Sequence, residues 1–528
     1  MRVLRRTLGT LLVLGAAVSC ATSPGGDARP GDERPALLAP YEQLLPAPAS
    51  ARAEGPGYAV GAGTVIRTGT GGGEEEVRRV GELLAQQLRG PAGLPLPVVD
   101  GADGDGIRLR LDAAAEGVGD EGYRLESGPG GVTLTARTPA GLFHAGQTLR
   151  QLLPVAGPGT VPGGEITDAP RFAYRGAMLD IARHHFTAEQ VKRYVDQLAQ
   201  YKVNTLHLHL TDDQGWRIAI DSWPRLAEYG GGSEVGGGPG GYWTKDQYRD
   251  LVAYAAERYV DVVPEIDMPG HVNAALASYA ELNCDGKARE RYTGIKVGFS
   301  SLCVGKERTY EFIDEVLGEL AELTPGRYLH IGGDEALSTP AADYAAFMDR
   351  AQQVVGRHGK TVVAWHQLAT ARPAPGAVLQ YWGHDRTAAA EKTAVAAAAK
   401  AGHPLVLSPA DRLYLDMKYD LTTKPGLAWA GFVPVRRAYD WDPGTYLAAA
   451  GVPQSAVLGV EAPLWTETIS TRSDLEFMAF PRVLGLAELG WSPGPRNWTE
   501  YRQRVAAQGP RLDAQGITYH RAPDVPWP

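Results

Sequence analysis

The chain has 528 residues, too many for one ordinary core and enough for two or three domains. Hydrophobic residues make up 44% and charged residues 21%, the balance of a globular protein, not of a fibrous or disordered one. The formal charge is −9 with no basic run, so no cluster stands ready to displace counterions, and nucleic acid is excluded as a partner.

The N-terminus reads as a signal peptide over residues 1–20. "MRVLRR" is a basic n-region, and "TLGTLLVLGAAV" is an apolar h-region too short to span a bilayer. Removing this leader, with Arg2, Arg5 and Arg6 and no acid, takes the charge from −9 to about −12. The run "AVSC" is either a lipobox, with Cys20 as a lipid anchor on the outer face of the membrane, or a plain signal-peptidase site. Both predict a secreted, extracellular protein. No later stretch is apolar enough for a membrane span. Residues 21–38, rich in Pro and Gly, read as a linker. Cys284 and Cys303 then remain, and in an oxidising compartment an even pair closing a short loop predicts a disulfide staple.

Residues 39–170 mix strands and helices. "EEEVRRVGELLAQQL" (74–88) places Val77, Val80, Leu84 and Leu88 on one helical face. "GIRLRLD" and "GVTLTAR" alternate as half-buried strands, with a "GPGG" turn before the second. "TPAGLFHAGQTLRQLL" opens a helix with Thr138 as cap and Pro139 at its first position. The pattern predicts a small α+β domain without catalytic residues.

From 171 to 528 the rhythm changes. Eight short apolar runs alternate with amphipathic helices: 174–182, 204–212, 260–267, 327–334, 361–367, 377–383, 403–409 and 457–465. Two of the helices open with capping boxes, Thr187/Gln190 and Thr244/Gln247. Eight such units predict a (β/α)₈ TIM barrel. The Gly-rich "GGGSEVGGGPGG" (230–241) is expected to be a flexible surface loop without a phosphate site, since no P-loop lysine follows.

Polar and aromatic residues gather where each run ends, the place where a barrel builds its active site. Arg183 follows the first run, Asp212 and Asp213 the second, Asp267 and His271 the third, and Asp334 and Glu335 the fourth. Trp365 and Trp382 close the next two, Tyr414 and Asp416 follow the seventh, and Trp465 and Glu467 the eighth. With Trp429, these tryptophans interleaved with carboxylates and an arginine predict a carbohydrate site: flat apolar walls with groups that bind hydroxyls. Two rival classes remain at this level. His207 and His209 share a strand face and, with His271 and Asp334, suggest a metal-dependent hydrolase. That reading gives the tryptophans and Tyr414/Asp416 no role. An exported sugar-binding protein would use the same walls but has no need of Glu335.

The pair Asp334-Glu335 poses a problem for an ordinary glycosidase, which places two carboxyl groups roughly 5 to 9.5 Å apart across the scissile bond. Neighbours in sequence reach a pocket together only on one side of it. The stretches "HIGGDEA", "HLHLTDDQGWRI", "LDIARHHF", "PEIDMPGH" and "LWTET" resemble glycoside hydrolase family 20, the exo-acting β-N-acetylhexosaminidases. The resemblance implies substrate-assisted retaining hydrolysis, in which the sugar's own 2-acetamido oxygen attacks the anomeric carbon. It implies Glu335 as proton donor, Asp334 as holder of the acetamido N–H, and Tyr414 as donor to its oxygen. It further implies Trp365, Trp382 and Trp465 around the methyl group, Arg183, Asp416 and Glu467 on ring hydroxyls, and Trp429 along the wall. Asp212, Asp267 and His271 are expected behind the two acids. No metal and no cofactor is expected, and no pattern fixes an oligomeric state.

Overall fold

The computed structural model describes residues 38–528 apart from 70–73 and 102. The signal peptide, Cys20 and the linker up to residue 37 lie outside the described residues.

Seven strands of the first domain form one mixed sheet. Their order is Ser50–Ala53, Gly164–Asp168, Tyr123–Gly128, Gly131–Ala136, Ile107–Leu111, Ile66–Thr68 and Val98–Asp100. Gly128 pairs with Gly131 across the predicted turn. The helices Glu74–Ala92 and Pro139–Leu152 pack against the sheet and against each other. The first buries Val77, Val80, Leu84 and Leu88, as the 3.6-residue spacing requires. The second is capped by Thr138, whose hydroxyl accepts the Gly141 N–H.

The remaining chain closes an eight-stranded parallel barrel. Its strands are β1 (Tyr174–Asp180), β2 (Thr205–His209), β3 (Asp261–Glu265), β4 (Tyr328–His330), β5 (Thr361–Trp365), β6 (Val378–Tyr381), β7 (Leu405–Leu407) and β8 (Val457–Leu464), with β8 paired back onto β1. Each predicted apolar run contains one strand. Both capping boxes form: Thr187 and Thr244 accept the N–H of Gln190 and Gln247, whose side chains return the bond.

The barrel interior is not uniformly apolar. Tyr174, Val363, Val378 and Val406 form one small cluster, and Met178, Trp365, Tyr414 and Trp465 belong to another beneath the C-terminal mouth. Buried polar side chains bridge the two: Tyr174 donates to Glu461 (2.6 Å), Glu461 meets His207 (2.9 Å) and Gln380 (2.6 Å), and Glu265 takes the Trp365 indole N–H (2.9 Å).

A buried seam joins the two domains. Lys202 of the barrel lies 3.3 Å from Asp168, which also accepts from Tyr123 (2.7 Å) and Trp491 (2.9 Å). Arg175 of β1, wholly buried, pairs with Glu121.

The Gly-rich segment departs from expectation. It is not free: buried Arg217 donates to the carbonyls of Gly231, Ser233 and Gly241 (2.8–2.9 Å), and Glu234 accepts the His185 N–H. A single guanidinium with five donors gathers the loop, a signal that glycine content alone does not carry. The predicted disulfide between Cys284 and Cys303 is formed. The loop it closes carries Ile295 and Val297 to the mouth of the barrel. Among the described residues, no helix is long and apolar enough to cross a membrane.

Candidate active site

The backbone after β4 explains how two adjacent acids share one pocket. Gly332 (φ +62°), Gly333 (φ +95°) and Glu335 (φ +42°) all adopt left-handed conformations. Glycine is required at 332, where a Cβ would stand 1.7 Å from Asp267 Oδ1. Glu335 has no such licence, and its strained backbone is held by its surroundings. Asp267 accepts the Gly333 N–H (3.0 Å), and Tyr344 donates to the Gly333 carbonyl (2.7 Å). Asp334 and Glu335 consequently both line one cavity of about 420 Å³. One oxygen of each and a ring nitrogen of His271 lie within 4.8 Å of one another. Glu335 is the more open of the two (side chain 35% exposed, against 11% for Asp334).

Arg183 sits beyond β1, where Asp180 fixes it. The Asp180 carboxylate accepts the backbone N–H of Ala182 and Arg183 and a guanidinium N–H (3.2 Å). Asp212 pairs with the same guanidinium (2.9 Å), whose face lies 4.9 Å from the Trp465 ring. Asp416 and Glu467 line the same cavity. The segment carrying Tyr414 and Asp416 is held by Arg482, which donates to the carbonyls of Leu415, Met417 and Val433. Among the described residues, none stands in hydrogen-bonding geometry with Arg183 Nε, Asp334 Oδ1, Glu467 Oε2 or either Asp416 oxygen. Buried polar atoms left open in a cavity mark a site built for a polar ligand.

Aromatic rings make the walls. Trp382 meets Trp429 (6.1 Å between centroids), Trp429 meets Tyr414 (5.8 Å), and Tyr414 meets Trp465 (6.2 Å). Trp382 is oriented by Gln367, which accepts its indole N–H at 3.1 Å. Trp365 is the deepest of the four tryptophans. It is wholly buried and is not among the cavity-lining residues. A buried indole N–H needs an acceptor, and Glu265 inside the barrel supplies it, drawing the ring beneath Trp465 (5.8 Å).

Asp212 and Asp267 are buried outside the cavity lining, while His271 lines the cavity with the two acids. His271 places Nδ1 3.3 Å from Asp212 and Nε2 3.6 Å from Glu335. Burial disfavours charge on all these groups, and their neighbours decide the outcome. Arg183 and His271 hold the Asp212 carboxyl well below the usual range, and Asp212 with Asp334 lifts His271 well above its own. Burial pushes Asp334 up to about 6, with His271 pulling it down and Glu335 pushing it up. Asp267 is raised too, by burial and then by Asp334, so these two carboxyls compete for one proton. Asp416 and Glu467 are also raised by burial.

Comparison with known proteins places this geometry. Residues 172–494 match the model of glycosyl hydrolase family 20, catalytic domain, and residues 41–169 match family 20, domain 2. The chain belongs to glycosyl hydrolase family 20. A family 20 β-N-acetylhexosaminidase structure from Streptomyces coelicolor A3(2) is 60% identical, covers 93% of this chain and 100% of that one, and superposes with a TM-score of 0.90. A mutant Streptomyces plicatus β-hexosaminidase, solved in complex with product (GlcNAc), is 60% identical with 94% and 100% covered and the same TM-score of 0.90. A β-N-acetylhexosaminidase from Cellulomonas fimi is 43% identical over 90% of this chain and 95% of its own.

Family 20 membership makes the chain a glycoside hydrolase and gives the cavity a carbohydrate to hold. Among the described residues, four groups of side chains at and around the cavity also bring metal-ligating atoms together: His207/Glu265/His330, His209/Glu265/Asp267, Asp212/Asp267/His271 and His271/Asp334/Glu335. In three of them a ring nitrogen is engaged by carboxylate at 2.5 to 3.3 Å, an arrangement that suits proton holding. Reading the sequence did not single out Ile295, Val297, His384 or Leu427, which line the cavity from loops, nor Asp180, Glu265 and Arg482. The "PEID" motif carried a signal for Glu265, since an acid inside an apolar strand needs partners.

Proposed function

We infer that this chain is an exo-acting β-N-acetylhexosaminidase. It hydrolyses terminal non-reducing N-acetyl-β-D-hexosamine from chitooligosaccharides or glycans, with retention, through an oxazolinium intermediate. The observation that carries this reading is the left-handed turn that sets Asp334 and Glu335 side by side at one cavity wall. A proton donor and an amide holder serving adjacent atoms of one sugar need that arrangement.

In the first step the Glu335 carboxyl gives its proton to the glycosidic oxygen as the bond to the anomeric carbon breaks, and the acetamido oxygen bonds to that carbon. The departing group leaves as an alcohol. Asp334 accepts the acetamido N–H and balances positive charge growing on the nitrogen, and Tyr414 donates to the acetamido oxygen and orients it. In the second step the Glu335 carboxylate takes a proton from water as the water oxygen attacks the anomeric carbon and the acetamide is released. The tethered nucleophile supplies high effective molarity once the cage fixes it. Trp365, Trp382 and Trp465 enclose the methyl group. Arg183, Asp416 and Glu467 hold ring hydroxyls, and Trp429 flanks the mouth.

Release of p-nitrophenol from its N-acetyl-β-D-glucosaminide and galactosaminide tests the reading and reports which epimer is preferred. Sugar binding without turnover would make the protein a lectin, and loss of activity to a chelator would favour the metal reading. A covalent glycosyl ester, or first product with inverted configuration, would overturn the substrate-assisted course. The basic and apolar leader supports export from the cell. Intact mass of the mature N-terminus separates a lipid-modified Cys20 from plain cleavage.

A further inference from the structure

Glu265 lies at the end of β3, wholly buried and not among the residues that line the cavity. It gathers donors from two other strands and lies against a third. Its Oε2 meets His207 Nε2 (3.1 Å) and His209 Nδ1 (2.5 Å) of β2. Its Oε1 accepts from Trp365 of β5 (2.9 Å) and lies 3.0 Å from His330 Nδ1 of β4. The same His330 nitrogen takes the Gly332 N–H at 3.0 Å, where the acid-bearing turn begins.

Both histidines of β2 carry a second carboxylate. His207 Nδ1 is 2.9 Å from Glu461, and His209 Nε2 is 2.8 Å from Asp212. An ionised carboxylate only accepts, so each ring donates from both nitrogens and is held as a cation. Burial opposes that charge, and the flanking carboxylates override it, holding His207 up to about 9. The result is an alternating line: Glu461, His207, Glu265, His209, Asp212, His271 and then Glu335. Asp267 and Asp334 also feel the charge of Glu265, which raises both.

We propose that Glu265 is a positioning residue for the hydrolysis, with one carboxylate coupling the proton-donor half of the site, through His209, Asp212 and His271, to the acetamide cage, through Trp365 and Trp465. This rests on the hexosaminidase reading and assigns a function to side chains that touch no sugar.

Glu265→Gln keeps the shape and one acceptor. Its carbonyl can still take the Trp365 N–H, while its amide faces a ring that must give up a proton. The variant is expected to lose about 10- to 100-fold in kcat with KM held within about threefold. A limb of its kcat–pH profile moves by about half a unit or more. Trp365→Phe keeps the ring and loses only the N–H, and is expected to raise KM with the native pH profile. His209→Gln is expected to move the profile and leave KM. If the Glu265→Gln profile superimposes on the native one, however far kcat and Tm fall, Glu265 is framework only and the proposal is overturned. Should that variant not fold, a native profile for His209→Gln overturns it equally. A native protein that releases no p-nitrophenol would instead sink the hexosaminidase reading.

Discussion

Asp334→Asn removes one charge and changes little else. In the proposed course the Asp334 carboxylate sits at hydrogen-bond distance, about 3 Å, from an acetamido nitrogen that carries roughly half a positive charge at the transition state. With an effective dielectric of about 20, that attraction is about 3 kcal/mol, or about 100-fold in rate. Loss of a single preorganised stabiliser elsewhere costs about 10²- to 10³-fold, a similar size. Because burial pushes Asp334 up to about 6, native kcat/KM should fall with acid below that pH as the Asp267–Asp334 pair takes up a second proton. The sign follows from the role: the carboxylate is the working form, so activity is lost as pH drops through the raised value. The assay is kcat and KM on p-nitrophenyl N-acetyl-β-D-glucosaminide from pH 4 to 9 for both proteins. The variant should be about 100-fold slower and lack the acid limb near 6. A loss under about tenfold, or an acid limb unmoved in the variant, would refute the charge-balancing role of Asp334.

Glu335→Gln should cost about 10²- to 10⁴-fold with p-nitrophenol and less with dinitrophenol, which needs no proton to leave, and the ratio of the two rates measures the general-acid share. Gly332→Ala puts a Cβ 1.7 Å from Asp267 Oδ1, so it should dislodge Asp267 and the acid turn, read as lost turnover together with a lowered Tm. Replacing Cys284 and Cys303 by serine opens a loop of sequence separation 19. It should cost about 3 kcal/mol by loop entropy and, because Ile295 and Val297 ride on that loop, raise KM for chitobiose, checked by denaturant unfolding and initial rates.

The barrel was legible because each strand is a short apolar run ending in a residue with chemistry, a pattern that repeats eight times and leaves little freedom of register. The acids were legible as a contradiction: Asp334 and Glu335 adjacent at the end of a buried strand, after two glycines. What the sequence did not carry was anything decided between strands. Trp365 looks like a wall residue by position, yet its depth depends on Glu265, 100 residues away. Only the folded chain reveals the carbonyls that Arg217 and Arg482 collect. The cavity residues on the disulfide-closed loop, Ile295 and Val297, sit in a stretch with no periodicity from which to place them.

Asp168 and Glu121 come from the first domain, Lys202 and Arg175 from the barrel, and both ion pairs are out of reach of water on the barrel side. Removing the acidic partner of either pair leaves a lone buried cation, at a cost of about 3 to 5 kcal/mol. The α+β unit is therefore no detachable accessory. Shuffling it between family members, or trimming it away to obtain a smaller catalyst, should yield insoluble barrels unless the cations at 175 and 202 are replaced at the same time.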